Sequence, residues 1–88
     1  MSAKNRSVRD LINIGSKIAG RLNTIGISTE EELRHIGASE AHRLIKNNYP
    51  DETLPVCYYL YSFEGALTNT HWNKILEKRK KILREEIE

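Results

Sequence analysis

The sequence predicts an all-α domain, a small bundle of five or six short helices. The most apolar window, Leu54 to Leu67, carries a single charge, Glu64, and is apolar nearly all round. A helix of that kind is buried among others rather than laid on a surface. Elsewhere apolar residues recur at helical spacing, as in Ile18, Ala19, Leu22 and Ile25. Glycines and capping residues punctuate the chain at short intervals: Gly15, Gly26, Gly37 and Asn69-Thr70.

Residues 1–6 read as a frayed start. Ser7 is placed to cap a short helix through Leu11 and Ile12. Asn13-Ile14-Gly15-Ser16 reads as a tight turn, with Gly15 supplying a backbone conformation closed to other residues and Ser16 as N-cap. A helix follows from about Lys17 to Ile25, stopped by Gly26. Thr29 and Glu32 form a capping box, and the three acids Glu30, Glu31 and Glu32 complement the positive end of the next helix. That helix turns Leu33 and Ile36 inward and ends at Gly37. Ser39 caps a fourth helix whose inward face is Ala41, Leu44, Ile45 and Tyr49. Asn47 to Asp51 is a loop, because the residue before Pro50 avoids helix.

The central helix is expected from Leu54, with Thr53 as cap and Pro55 in the first turn, where a missing N–H costs nothing. Periodicity alone leaves a buried strand open over Val56 to Tyr61. Length, Pro55 and the run Glu64-Gly65-Ala66-Leu67 favour helix. Asn69-Thr70 breaks it, and Thr70 caps a last helix from His71 to near the end. There Trp72, Ile75, Leu76, Ile82 and Leu83 make an apolar stripe, with the stem of Arg79 lying along it.

Eighty-eight residues make one domain with one small core, residues 11–84 at its centre. A hydrophobic fraction of 39% and a charged fraction of 30% belong to a folded, soluble chain. No apolar run approaches the roughly 18 residues of a membrane span, and no signal-peptide core follows the N-terminus, so a cytoplasmic protein is expected. A single cysteine excludes an internal disulfide and a cysteine-based metal site. Net charge is +2, too small to announce a nucleic-acid binder. The basic excess sits in residues 1–28, with five cations against Asp10, while residues 29–53 carry three cations against six acids.

Two stretches resemble a known family. Asn13-Ile14-Gly15-Ser16-Lys17, continued by Ile25 to Leu33 and Ile36-Gly37-Ala38, is similar to the N-(I/L)-G-x-K … G-I-x-T-x-x-x-L … G-A pattern of the TfoX C-terminal domain. Phe63 to Trp72 resembles that family's E-G-A-L-x-x-x-H-W signature through Glu64, Gly65, Ala66, Leu67, His71 and Trp72. TfoX proteins are regulators of natural competence that usually place a second domain before this one, so a stand-alone C-terminal domain is expected. The resemblance implies a helix-hairpin-helix or SAM-like arrangement. In helix-hairpin-helix modules a glycine turn offers backbone N–H groups to a DNA phosphate beside a basic side chain. Carried onto this chain, that places weak, sequence-independent DNA binding at Gly15, Ser16 and Lys17, with Arg21 one turn on. The turn at Gly26 precedes three glutamates that repel phosphate, so no DNA role is carried there.

Most other chemistry-bearing residues read as structural. His71 and Trp72 are expected to cap and to anchor the core, with His71 within reach of Glu64. Cys57 reads as buried and inert. His35 and His42 fall on different helices without further ligands, so neither a metal nor a cofactor is expected. Of Tyr58, Tyr59 and Tyr61, consecutive positions turning by 100°, at least one ring should reach the surface. No paired-carboxylate cleft, nucleophile elbow or phosphate loop points to an enzyme, to a small-molecule substrate or to a membrane. The reading is a non-catalytic regulatory module. Its partner is a protein (a transcription factor, a polymerase subunit or a second copy), with DNA as the alternative.

Overall fold

The computed structural model describes residues 6–56 and 58–88. Residues 1–5 of the expected frayed start, and Cys57, lie outside them; Arg6, the last residue of that stretch, is bonded to Glu30 through both backbone and side chain. Among the described residues there are five α-helices and two 3₁₀ turns: α1 Ser16–Thr24, α2 Glu30–Ile36, α3 Ala38–Asn48, α4 Leu60–Thr68 and α5 Glu77–Glu86, with turns at Val8–Asp10 and Trp72–Lys74. α4 is the centre, packed on α2, α3 and the second turn, while α5 leans on α3 and α1 packs on α3 and the first turn. The core runs through the five helices and the first turn, with Val8, Leu22, Leu33, Ile45, Leu60, Phe63 and Leu83 fully enclosed.

The first elements follow local chemistry closely. Ser7 caps the first turn, its Oγ accepting from the Arg9 N–H. α1 buries Ile18, Ala19 and Leu22. Gly26, at φ 87°, closes α1 with two backbone bonds, its own N–H to the Asn23 carbonyl and the Ile27 N–H to the Leu22 carbonyl. The Thr29–Glu32 capping box is present in both directions. The Glu32 carboxylate also accepts from Ser28, through both its N–H and its hydroxyl, and these donors hold it below the usual carboxylate range. An antiparallel bridge joins Ser7 to Thr29, flanked by bonds from the Val8 N–H to the Ser28 carbonyl and from the Glu30 N–H to the Arg6 carbonyl.

Gly37, at φ 88°, ends α2 and caps α3 at once, so Ser39 lies inside the helix and its hydroxyl bonds the Glu86 carboxylate instead. α3 turns His42 inward with Ala38, Ala41 and Ile45; Leu44, expected there, is only half-buried. The His42 ring bonds the Leu54 backbone, and its Nε2 is buried without a partner. Burial pushes this imidazole below the ordinary histidine range.

Two expected helices are shorter than the sequence reading. The central helix begins at Leu60, not Leu54. Before it the Pro55 carbonyl accepts from both Tyr58 and Tyr59, and the Tyr61 N–H reaches back to Val56 at 2.9 Å. That last spacing winds one extra residue into the turn, which lets Leu54 and Tyr59 both reach the core while Tyr58 stays 48% exposed. The expected last helix is split. His71, not Thr70, caps the Trp72–Lys74 turn; Ile75 and Leu76 are extended; α5 starts at Glu77. This break lets both Ile75 and Leu83 reach the core. Trp72, expected as a core anchor, is 38% exposed.

The two motif stretches meet at one contact. Asn13 sits at φ 73°, a left-handed conformation asparagine tolerates. Its amide donates to the Thr70 carbonyl at 2.9 Å and the Ser62 carbonyl at 3.4 Å, and its Oδ1 accepts from the Trp72 N–H at 3.2 Å. The amide lies close against Gly65. A Cβ there would stand 2.2 Å from the Thr70 oxygen and 2.4 Å from Asn13 Nδ2. Gly65 is therefore glycine for close approach, not for backbone freedom. Gly15 is neither: its φ of −87° and ψ of 179° suit any residue, and a Cβ there would meet nothing within 4 Å.

Gly65→Ala should cost about 1–3 kcal/mol in urea unfolding. Asn13→Ala should cost a similar amount by leaving the Thr70 carbonyl without its side-chain donor and the Trp72 N–H without its acceptor. The double variant should cost less than the sum, because removing the Asn13 side chain clears one of the two clashes; strict additivity would disprove the contact. For His42 the folded protein refuses a proton that the unfolded chain accepts from about pH 6.5 downward. Stability is complete above that value and falls as pH drops below it. Between about pH 7.5 and 5.5 the wild type should lose more stability than His42→Leu, measured by urea midpoints at each pH.

Candidate functional site

The Gly15 turn is the first candidate. α1 starts there with no side-chain cap, leaving its first N–H groups open to solvent, and Lys17 is exposed. Arg21 lies one turn on, as expected, but it is not free for a phosphate. Its guanidinium pairs with Glu52 at 2.8 Å and stacks 4.0 Å from the centre of the Tyr49 ring. The hydrogen bond to Glu52 raises its pKa further above the ordinary arginine value. Arg21 thus ties α1 to the turn after α3, and Lys17 is left as the only unengaged cation of the expected set.

The second motif divides between structure and surface. Glu64 is engaged by Arg79 of α5 through two bonds, 2.8 Å and 3.3 Å, so His71 does not reach it. Ala66 is buried, and the Leu67 carbonyl accepts from Arg34. The His71 ring bonds Asn73 and lies 5.7 Å from the Trp72 ring. Trp72 and Ile12 flank the bond between Asn13 and the Trp72 backbone, and both expose more than a third of their surface. Leu76 is 74% exposed at the start of α5, on the rim of a groove of about 210 Å³ whose other walls include Thr68, Thr70, Lys74 and Ile75. Exposed apolar side chains thus stand beside the Asn13 contact, at Ile12 and Trp72, and on the rim of this groove, at Leu76.

A wider groove of about 390 Å³ separates the α2–α3 joint from α5. Its polar groups are already committed: Arg43 to Glu40 and to the Glu86 carbonyl, Ser39 to the Glu86 carboxylate, Arg79 to Glu64. Among the described residues no group of three histidines, cysteines or acids stands ready for a metal, and no helix is long and apolar enough to cross a membrane. Sequence reasoning missed Asn13 and Leu76. Asn13 carried a signal, an asparagine before a glycine turn, but its partners lie about fifty residues away. Leu76 was hidden inside an apparent helical stripe that the break at Ile75 disrupts.

The fold has close relatives among solved structures. The chain superposes on an uncharacterized protein from Listeria monocytogenes, in a triclinic crystal form, with a TM-score of 0.78 and 31% identity over 89% of this chain and 85% of that one. A tetragonal form of a protein of unknown function from Listeria monocytogenes gives the same TM-score and identity, with 93% of that chain covered. No protein of curated function matches. A family model for the TfoX C-terminal domain matches residues 4–87, and the chain belongs to that family.

Proposed function

We propose that this domain is a non-catalytic regulatory module, linked to the competence regulation of its family, that works by binding another protein at the Trp72–Leu76 corner. The observation that carries this reading is the exposure of Leu76 and Trp72 on the short stretch between α4 and α5, where Asn13 holds the Trp72 backbone. Exposed apolar side chains on a rigid, structured corner serve association, where a flexible loop would lose more entropy on binding. The weakness of the DNA alternative supports it too. Phosphate binding needs several free cations gathered at one place, and at the Gly15 turn Arg21, the second cation of the expected set, is held by Glu52. The DNA reading keeps one observation, the open start of α1 beside Lys17.

A photo-crosslinking residue at position 76 should trap a defined protein partner in cells, and one at position 35, on α2, should not. Equal yields at both positions would sink the reading. In parallel, a labelled DNA duplex should show no anisotropy change at near-physiological salt. Micromolar binding that Lys17→Glu abolishes would instead establish the phosphate site at Gly15.

A further inference from the structure

We infer that α5 is a latch, an inference independent of the interaction reading above: it swings off the bundle and melts as a unit, about Ile75 and Leu76, while α1 to α4 stay folded. The contrast in burial between the helices carries this. α4 encloses six of its nine residues and α3 four of its eleven, whereas α5 encloses only Leu83. Ile87, just past its end, is half-buried against the core, and Ile82 is exposed. Eight of the ten residues of α5 are charged. The rest of its attachment is polar. Arg79 pairs with Glu64 of α4, Lys80 lies 5.2 Å from the Tyr61 ring centre, and Arg84 donates to the Tyr61 hydroxyl at 2.8 Å. At the far end the Glu86 carboxylate accepts from the Ser39 hydroxyl, and its carbonyl accepts from Arg43. Polar contacts of this kind contribute little each, and the ionic ones weaken as salt rises.

The hinge is in place as well. Ile75 is buried and stays as the anchor, and Leu76 follows it with an extended backbone and an exposed side chain. Rotation there withdraws one enclosed side chain, Leu83, from the core. A highly charged helix of ten residues is too short to hold its shape off the bundle, so its backbone hydrogen bonds are lost together. Opening uncovers the α2–α3 joint. The groove of about 390 Å³ is lined by Arg79, Leu83 and Glu86 of α5 and, across from them, by Ile36, Gly37 and Ala38. The latch thus sets access to that joint, and ionic strength sets the latch.

The test is native-state amide hydrogen exchange on the whole chain, followed residue by residue by NMR. The amides of residues 80–85 should share one protection factor, at least about tenfold below the best-protected amides of α3 and α4. Arg79→Gln should speed their exchange several-fold, and so should raising salt from about 0.05 M to 0.5 M. Ile18→Val, inside α1, should speed exchange in α3 and α4 several-fold and leave residues 80–85 unchanged, because α1 keeps its packing while the latch is open. Protection in α5 equal to that in α3 and α4 would overturn the inference, since the helix would then open only with the whole fold. So would protection that declines steadily from residue 80 to residue 85, the mark of an end that frays, or acceleration of those residues by Ile18→Val. Indifference of residues 80–85 to both salt and Arg79→Gln would overturn it too, since polar contacts would then not be what fastens the helix.

Discussion

The fold depends on the place where the Asn13 side chain lies against the backbone of Gly65. One amide satisfies three backbone groups: the carbonyls of Ser62 and Thr70, and the N–H of Trp72. The Thr70 carbonyl and the Trp72 N–H lie where regular structure stops, after the end of α4, and so lack a helical partner of their own, while the Ser62 carbonyl lies inside α4 and gains a second donor. A single side chain thus substitutes for the hydrogen bonds that breaking the helix gives up. The contact requires the missing Cβ of Gly65 on one side and the left-handed backbone of Asn13 on the other. It joins the loop before α1 to the end of α4 and to the Trp72–Lys74 turn.

That arrangement explains why the two family motifs read as they do. Glu64 holds α5 through Arg79, Gly65 admits Asn13, Ala66 is small enough for the centre, and His71 caps the turn that presents Trp72. Most of the signature is architecture. Its surface product is the short exposed stretch from Trp72 to Leu76, and the functional reading attaches there rather than to the motif as a whole.

The helix ends were legible in the sequence because their chemistry is local. The Thr29–Glu32 box, the stop at Gly26 and the Ser7 cap each involve residues within four positions of one another, and the structure forms them as read. Distant partners were not legible. The delayed start of α4 follows from two residues, Leu54 and Tyr59, both reaching the core, which no local propensity encodes. Arg21 was read by its distance from Gly15 along one helix, whereas its fate is set by Glu52 and Tyr49 on another part of the chain. On α3 His42 falls on the buried face with Ala38, Ala41 and Ile45, at spacings of three, one and three residues, and Leu44 does not.

The bridge between Ser7 and Thr29 has a mechanical meaning. Its two flanking backbone bonds fasten the chain just before the first core residue, Val8, to the rim of the α1–α2 turn. A pull applied ahead of Arg6 would load those bonds and the Arg6–Glu30 ion pair before it reached the hydrophobic interior. The N-terminal side of the fold is thus strain-relieved, like a cable clamped at its socket.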